Sequence, residues 1–248
     1  MQILRNLGYR LAKRFLPRPL VAPVTITDLI ALATSLKGSA LKILQIGAYD
    51  GKSFDPVYEV TSVSEAEIIL VEANPDAIPR LETNYPNRDG VEIVHGAVIP
   101  GSKKQTVELF KFSDEAVKTY PEFGGTSSIL ETHLFRAFER NQHRFPNGTT
   151  AKSLIESDTV PVISPASLVE SHRLADVDIL IVDVEGMDWP VVRGFLEAGC
   201  DPAALFYESR FMGIAEMESA LAFLRDRGYA PVDFGLDTGA IKFPTRPN

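Results

Sequence analysis

The sequence predicts an α/β fold: a doubly wound, mainly parallel sheet that ends in an antiparallel hairpin. Three observations predict it: aliphatic runs without polar alternation, helical segments spaced between them, and a last pair of β-rich runs joined by a glycine-bracketed turn. Runs apolar at successive positions suit strands covered on both faces, as in a parallel sheet between helix layers. The 248 residues, 45% hydrophobic, supply a core for one large domain or two small ones.

The first segment stands apart. Ile3, Leu4, Leu7, Leu11 and Phe15 recur at helical spacing, interleaved with Arg5, Arg10, Lys13, Arg14 and Arg18, and no acid precedes Asp28. Pro17 and Pro19 end this helix and Pro23 extends the linker. Residues 1–26 therefore read as a basic amphipathic helix with a Pro-rich linker, and 27–248 as the main domain. Residues 1–18 suit peripheral contact with an anionic membrane surface, or docking on the chain's own domain or on a second subunit of a homo-oligomer. Both readings stay open.

In the main domain, Thr27-Asp28 opens a helix through Leu29, Ile30, Leu32 and Leu36 that Gly38 closes. Strands are expected at Leu41–Ile46, Ile68–Val71, Val91–Val94, Asp178–Val182 and Ala203–Tyr207. Helices are expected at Ala77–Asn84, Val191–Leu196 and Ile214–Arg227, the last stopped by Gly228. Ala230–Asp233 and Ala240–Phe243, joined by Gly-Leu-Asp-Thr-Gly (235–239), read as the hairpin. Residues 106–163 break the alternation with a strand (Thr106–Phe112), a Gly124-Gly125-Thr126-Ser127-Ser128 loop and a polar helix (Glu131–Arg144). They read as an insertion on the ligand-facing edge, where substrate pockets and lids are built.

Composition excludes several functions. The net charge of −8 argues against nucleic-acid binding. A single cysteine, Cys200, forms no internal disulfide and points to a reducing compartment. No apolar run approaches the roughly 20 residues that span a bilayer, and no Cys/His cluster has zinc spacing. The expectation is a cytoplasmic protein that touches membrane, if at all, through its basic helix.

In open α/β sheets ligands bind beyond the carboxyl ends of the strands, near the switch in strand order. Four expected strands end in notable groups: Gly47-Ala48-Tyr49-Asp50-Gly51, Glu72, Asp183 and Glu208. Gly47 permits a sharp turn and close ligand approach, and Glu72 is spaced to accept hydrogen bonds from ribose hydroxyls. The G-x-G-x-x-G fingerprint and the Walker lysine are both absent. Asp50 would repel a pyrophosphate and attract an ammonium group. A nucleoside with a ribose, an amino-acid tail and no phosphate fits, and S-adenosylmethionine is such a ligand.

Ile-Leu-Gln-Ile-Gly-Ala-Tyr-Asp-Gly (43–51) with Asp55-Pro56, Leu-Val-Glu-Ala-Asn-Pro (70–75) with Leu81 and Asn84-Tyr85, and Asp-Ile-Leu-Ile-Val-Asp-Val-Glu-Gly (178–186) followed by Val191-Val192-Arg193-Gly194 resemble the motifs of the FkbM-type methyltransferases. The resemblance covers residues 41 to about 229. It implies a class I methyltransferase (Rossmann-like) fold with a seven-stranded sheet and S-adenosylmethionine-dependent O-methylation of a sugar, glycan or polyketide-like acceptor. By position, Gly47, Ala48, Tyr49, Asp50 and Gly51 would surround the methionine tail, Glu72 and Ala73 the ribose, and Gly96 and Ala97 the adenine. Gln45 stands where an acid is common and Tyr49 where Asn is expected. The tyrosine would stack over the cofactor or narrow its entrance.

Since the sulfonium is already activated, the protein must align a nucleophile and ease loss of its proton. Asp183 is the first candidate base, with Glu185 assisting or orienting. The rival reading makes Asp183 a helix cap, and a lesser one pairs it with Glu185 around a divalent cation. His133 has a suitable titration range, although a helix-surface position is its plainer reading. His95 is placed by the adenine, His143 and His172 on the surface, Trp189 in packing, and Arg210 beside Glu208 or an acidic substrate. Two further functions compete: a non-catalytic cofactor-binding module of the same fold, and a nicotinamide-dependent dehydrogenase.

Overall fold

The computed structural model describes residues 25–28, 30, 40–53, 55, 57–58, 66–85 and 89–242. The basic segment 1–18, most of its linker and most of the helix expected over 27–38 lie outside them. Where that helix is described it starts earlier than expected. Ile26 is already helical, and Thr25 caps it, exchanging hydrogen bonds with Asp28.

Seven strands form the main sheet: β1 (Leu41–Ile46), β2 (Ala66–Glu72), β3 (Val91–His95), β8 (Ile179–Val182), β9 (Ala204–Glu208), β10 (Tyr229–Asp233) and β11 (Asp237–Lys242). Their order is β3-β2-β1-β8-β9-β11-β10. The first five run parallel, and β11 is antiparallel to both neighbours. Chain progress reverses between β1 and β8, so the switch-point crevice opens at their carboxyl ends.

The apolar runs form strands because period-two geometry sends alternate side chains into two separate cores. Leu44, Ile46, Val71, Leu180 and Val182 pack with Trp189, Val191 and Phe195 of α5 (Asp188–Glu197) on one face. Ile43, Ile68, Leu70, Ile179 and Ile181 pack on the other with Leu81 of α1 (Ile78–Asn84) and with Val57. Each fully buried Leu or Ile is worth about 2 kcal/mol, so the strand ends that carry polar groups are held by the most rigid part of the fold.

The hairpin differs from expectation in its turn. Residues 237–239 belong to β11, and Gly239 pairs with Phe206 on one side and Val232 on the other. A Cβ at Gly239 would meet Phe234 at 2.5 Å and Phe206 at 3.0 Å. The glycine serves packing within the strand, and the turn shrinks to residues 234–236.

The insertion joins β4 (Ala97–Val98), which precedes it, in a second sheet ordered β4-β7-β5-β6, to which it contributes β5 (Thr106–Phe112), β6 (Ser127–Ser128) and β7 (Ile155–Ile163). Beside it lie α2 (Asp114–Thr119) and α3 (Glu131–Asn141). Phe112, Phe123, Phe138 and Phe145 give this layer its own core. Lys111, buried, reaches across to Asp76 just before α1 while also pairing with Asp158 and Glu156, which clamps the layer to the main sheet. α4 (Pro165–Ser171) follows β7 and α6 (Ile214–Asp226) follows β9.

Candidate functional site

A cavity of about 440 Å³ lies beyond the carboxyl ends of β1, β2, β8 and β9, closed on one side by residues 125–129 of the insertion. Gly47, Ala48, Tyr49, Glu72, Ala73, Gly96, Ala97, Asp183 and Glu185 all line it, whereas Asp50, Gly51 and His133 do not.

The β1 loop owes its shape to backbone constraints. Gly47 has φ +83°, and a Cβ there would meet the Asp183 carbonyl oxygen at 1.7 Å, so only glycine fits. The Gly47 and Ala48 amides donate to the Val71 carbonyl at 2.8 and 3.2 Å, tying the loop to β2. Glu72 continues this tie, accepting from the Tyr49 amide (2.6 Å) on one oxygen and from the Asn74 amide (2.6 Å) on the other. Burial pushes the Glu72 pKa up, against the pull of those amides. Each oxygen keeps a second lone pair, so a diol could still be received.

Asp50 does something else. Its carboxylate accepts from the Lys52 amide, the Ser53 amide and the Ser53 hydroxyl, which closes the turn that follows. Partial burial opposes ionisation, but the Ser53 and Lys52 hydrogen bonds and the Arg80 charge hold its pKa below the ordinary value. Gly51 is equally structural: a Cβ there would strike Leu81 at 2.4 Å and Tyr85 at 2.6 Å, so it lets α1 pack against the loop. Asp50 and Gly51, expected beside the methionine tail, thus hold the turn and lie outside the cavity lining. Tyr49 does reach the cavity, at φ +47°. Its ring lies under the Arg80 guanidinium (5.2 Å) and against Gly125, so it narrows the mouth between the β1 loop and the insertion.

On the opposite wall Asp183 follows directly after β8, and its side chain is exposed into the cavity. Desolvation first, then the Glu185, Asp188, Glu208 and Asp237 charges, push its pKa well up. The helix that follows has Met187 at its N-cap and no side-chain cap, so Asp183 does not cap it. Asp188, its first residue, instead accepts from the preceding Val184 and Gly186 amides at 2.8 and 3.0 Å and closes the loop. The Asp183 amide donates to the Ile46 carbonyl at 2.9 Å, while its carboxylate has no hydrogen bond among the described residues. Glu185 adopts a left-handed φ of +54°, a strain of about 1 kcal/mol or more for a side chain with a Cβ. The Ser128 hydroxyl holds its carbonyl at 2.8 Å, and His133 Nε2 lies 2.6 Å from its Oε2. His133 is thus 4% exposed, packed edge-on to Phe211 on the inner face of α3. The surface reading of this histidine is overturned because α3 turns His133, Leu134, Ala137 and Phe138 inward together.

Sequence reasoning left four lining residues without a role. Glu208 ends β9 and Asp237 faces it across the ladder. Desolvation, with Glu185 and Asp188, pushes Glu208 up to about 7, opposed by Arg210. Arg210 sits 3.9 Å from Glu208 and over the Phe211 ring. Asp237 is legible only once the hairpin register is known. Gln45 and Asp55, whose side chains hydrogen-bond at 3.1 Å, complete the β1 side of the wall.

Among the other expectations, His95 is exposed with Nε2 3.2 Å from the Ala73 carbonyl, and His172 pairs with Glu92. Trp189 packs between Tyr207 and Phe223. Among the described residues no group of three His, Cys, Asp or Glu side chains is placed to hold a metal ion, and no helix is long and apolar enough to cross a membrane.

Residues 45–231 match the family described as the Methyltransferase FkbM domain. No curated protein matches the sequence. Among solved structures the chain is similar to the SAH-bound methyltransferase PaMTH1 of Podospora anserina, at 12% identity over 88% of this chain and 78% of that one, TM-score 0.43. It is also similar to an O-methyltransferase of Bacillus cereus in complex with SAH, at 12% identity over 98% and 91%, TM-score 0.44.

Proposed function

Because the chain belongs to the FkbM methyltransferase family, we propose that it transfers a methyl group from S-adenosylmethionine to a hydroxyl of a sugar, glycan or polyketide-like small molecule. The observation that carries this reading is the charge of the cavity wall. Asp55, Glu72, Glu122, Asp183, Glu185, Glu208 and Asp237 line it, and no Lys or Arg does among the described residues. Two like charges about 4 Å apart at an effective dielectric near 20 cost on the order of 4 kcal/mol. That is half the binding energy of a micromolar ligand, about 8 kcal/mol. Such a wall disfavours the pyrophosphate of a nicotinamide dinucleotide and favours a cation.

The residues present fit the S-adenosyl group. The cavity volume lies within the range of small-ligand sites, roughly 300–1,000 Å³. At Gly47 the backbone is bare on a turn where any Cβ would collide. Glu72 holds the ribose hydroxyls, Ala73, Gly96 and Ala97 border the adenine, and Gly47, Ala48 and Tyr49 enclose the tail. When bound, the group supplies a methyl carbon already activated by its positive sulfur.

The chain's own residues then act on the acceptor. Asp183, its carboxylate bared to the cavity and tied to no amide, receives the hydroxyl and takes its proton. Its raised pKa makes the ionised carboxylate a stronger base than an ordinary aspartate. Glu185, fixed by Ser128 and His133, orients the acceptor from the other side. Tyr49 and the Gly124-Gly125 loop narrow the mouth and limit water.

The test is transfer of a labelled methyl group from S-adenosylmethionine to a panel of neutral polyols, amine-bearing sugars, and phosphorylated or carboxylated alcohols. Neutral or cationic alcohols should accept, and Asp183→Asn should abolish transfer. Label arriving only on anionic acceptors, or undiminished turnover by Asp183→Asn, overturns the reading.

A further inference from the structure

Four large apolar side chains are exposed among the described residues: Ile214 (62%), Leu236 (57%), Val232 (40%) and Leu130 (38%). Exposed apolar side chains scattered singly are ordinary, but three of these gather around one opening. Leu130 follows Ile129 and Leu236 precedes Asp237, and both of those neighbours line the cavity. Ile214 stands between Met212 and Glu216, which line a second, smaller hollow of about 50 Å³. Leu130 borders that hollow as well, since a Cβ on Gly186 in its wall would meet Leu130 Cδ1 at 3.5 Å. The Ser209 amide donates to the Leu236 carbonyl at 3.0 Å, which holds Leu236 beside the start of the segment leading to Ile214. Glu208 stands in both linings, so cavity and hollow meet across this one side chain. Val232 differs: it lies on β10, and neither it nor its chain neighbours line either space.

The two spaces ask for different chemistry. The cavity wall is rich in carboxylates, whereas the hollow presents Trp189, Pro190, Phe211 and Met212 beside its acids. Of those acids, Asp188 is already engaged by the Val184 and Gly186 amides. Glu208 is not: its Oε2 is buried and has no hydrogen-bond partner, so a ligand hydroxyl that donates to it satisfies an orphaned acceptor. A ligand that fills both spaces therefore needs hydroxyls on the cavity side of Glu208 and an apolar part beyond it. A wholly polar alcohol leaves the three exposed side chains in water, and a charged tail is desolvated against Phe211 and Met212. We propose that the acceptor is an amphiphilic alcohol. Its polyol head lies between Asp183 and Glu208, and its alkyl or acyl tail leaves over Phe211 and Met212 toward Ile214, Leu236 and Leu130. The apolar collar is continuous with the cavity, which makes the acceptor's own tail its occupant. This inference rests on the methyl-transfer reading and narrows the acceptor class within it.

Calorimetric titration of the intact chain, in excess S-adenosylhomocysteine, with octyl glucoside below micelle formation and with methyl glucoside tests it. The two probes share a neutral head and differ only in the tail. Wild type should bind octyl glucoside about tenfold or more tighter, a factor that burial of roughly two methylenes supplies. Ile214→Ser combined with Leu236→Ser should weaken octyl glucoside about fivefold or more. The same double variant should hold S-adenosylhomocysteine within about twofold of wild type and keep its melting temperature, because both side chains already face water. Val232→Ser, an exposed apolar position outside the collar, should change neither affinity. Equal affinity for the two glucosides, no binding of either, or an equal loss in Val232→Ser overturns the proposal while leaving the methyl-transfer reading intact. Self-association, or sedimentation with phosphatidylcholine vesicles, that needs Ile214 and comes without preference for octyl glucoside gives the collar another occupant and overturns it too. A chain that binds no S-adenosylhomocysteine overturns the reading beneath it as well.

Discussion

Glu208 offers a test of the electrostatics that needs no substrate. Its pKa rises from 4.5 to about 7 in the folded protein. The folded state therefore holds its proton more tightly than the unfolded chain between those values, and stability contributed by this group falls as pH rises through that window. Taken whole, a shift of this size corresponds to about 3 kcal/mol. The side chain is partly open to the cavity, and solvent there screens the charge, so about 1–2 kcal/mol is the expected cost. Glu208→Gln removes the ionisation and keeps the shape. Near pH 4 both forms are neutral in folded and unfolded chains, and the variant should melt with the wild type. By pH 8 the variant should melt about 3–6 °C higher. Paired thermal melts at half-unit steps from pH 4 to pH 8 read the difference directly. A constant offset across that range, or a wild type that gains on the variant as pH rises, would refute the reasoning.

Other predictions follow from the wall residue by residue. Glu72→Ala should weaken S-adenosylhomocysteine binding by at least about tenfold in calorimetry, since a charged acceptor and the clamp on Tyr49 and Asn74 are lost together. Gly47→Ala, forced against the Asp183 carbonyl at positive φ, should destabilise by about 2 kcal/mol or more and abolish binding, as melting and titration would show. Asp183→Asn should bind the donor within about twofold of wild type while turnover falls at least about a hundredfold. Loss of binding instead would recast Asp183 as a cofactor ligand. His133→Ala frees the Glu185 carboxylate, and kcat should fall more than donor affinity, a split that steady-state kinetics with the accepted alcohol would expose.

Much of the sheet was legible because β1, β2, β8 and β9 are aliphatic at successive positions, a pattern that few arrangements other than a covered parallel strand produce. The groups at their ends, Gly47, Glu72 and Asp183, were legible for the same reason: strand ends in such sheets converge on one crevice. What escaped depended on orientation or register. Asp50 and Gly51 sit in the right loop, but the turn consumes the carboxylate of one, and Leu81 with Tyr85 packs against the other. Spacing alone does not tell a side chain that faces a ligand from one that caps its own loop. His133 was misjudged because α3 packs a mixed face inward, and the partner that draws the histidine in, Glu185, lies 52 residues further along the chain. Asp237 was hidden in an apparent turn, since Gly239 looks like a turn residue and is instead the small residue that a crowded strand requires.

The most direct test of the account is whether the carboxylate-lined cavity takes a phosphate-free adenosyl ligand and refuses a phosphate-bearing one. Calorimetric titration of the intact chain with S-adenosylhomocysteine and with NAD at one pH and ionic strength decides it. The account predicts saturable binding of S-adenosylhomocysteine, weakened by Glu72→Ala, and none of NAD. Binding of NAD in place of S-adenosylhomocysteine would contradict it.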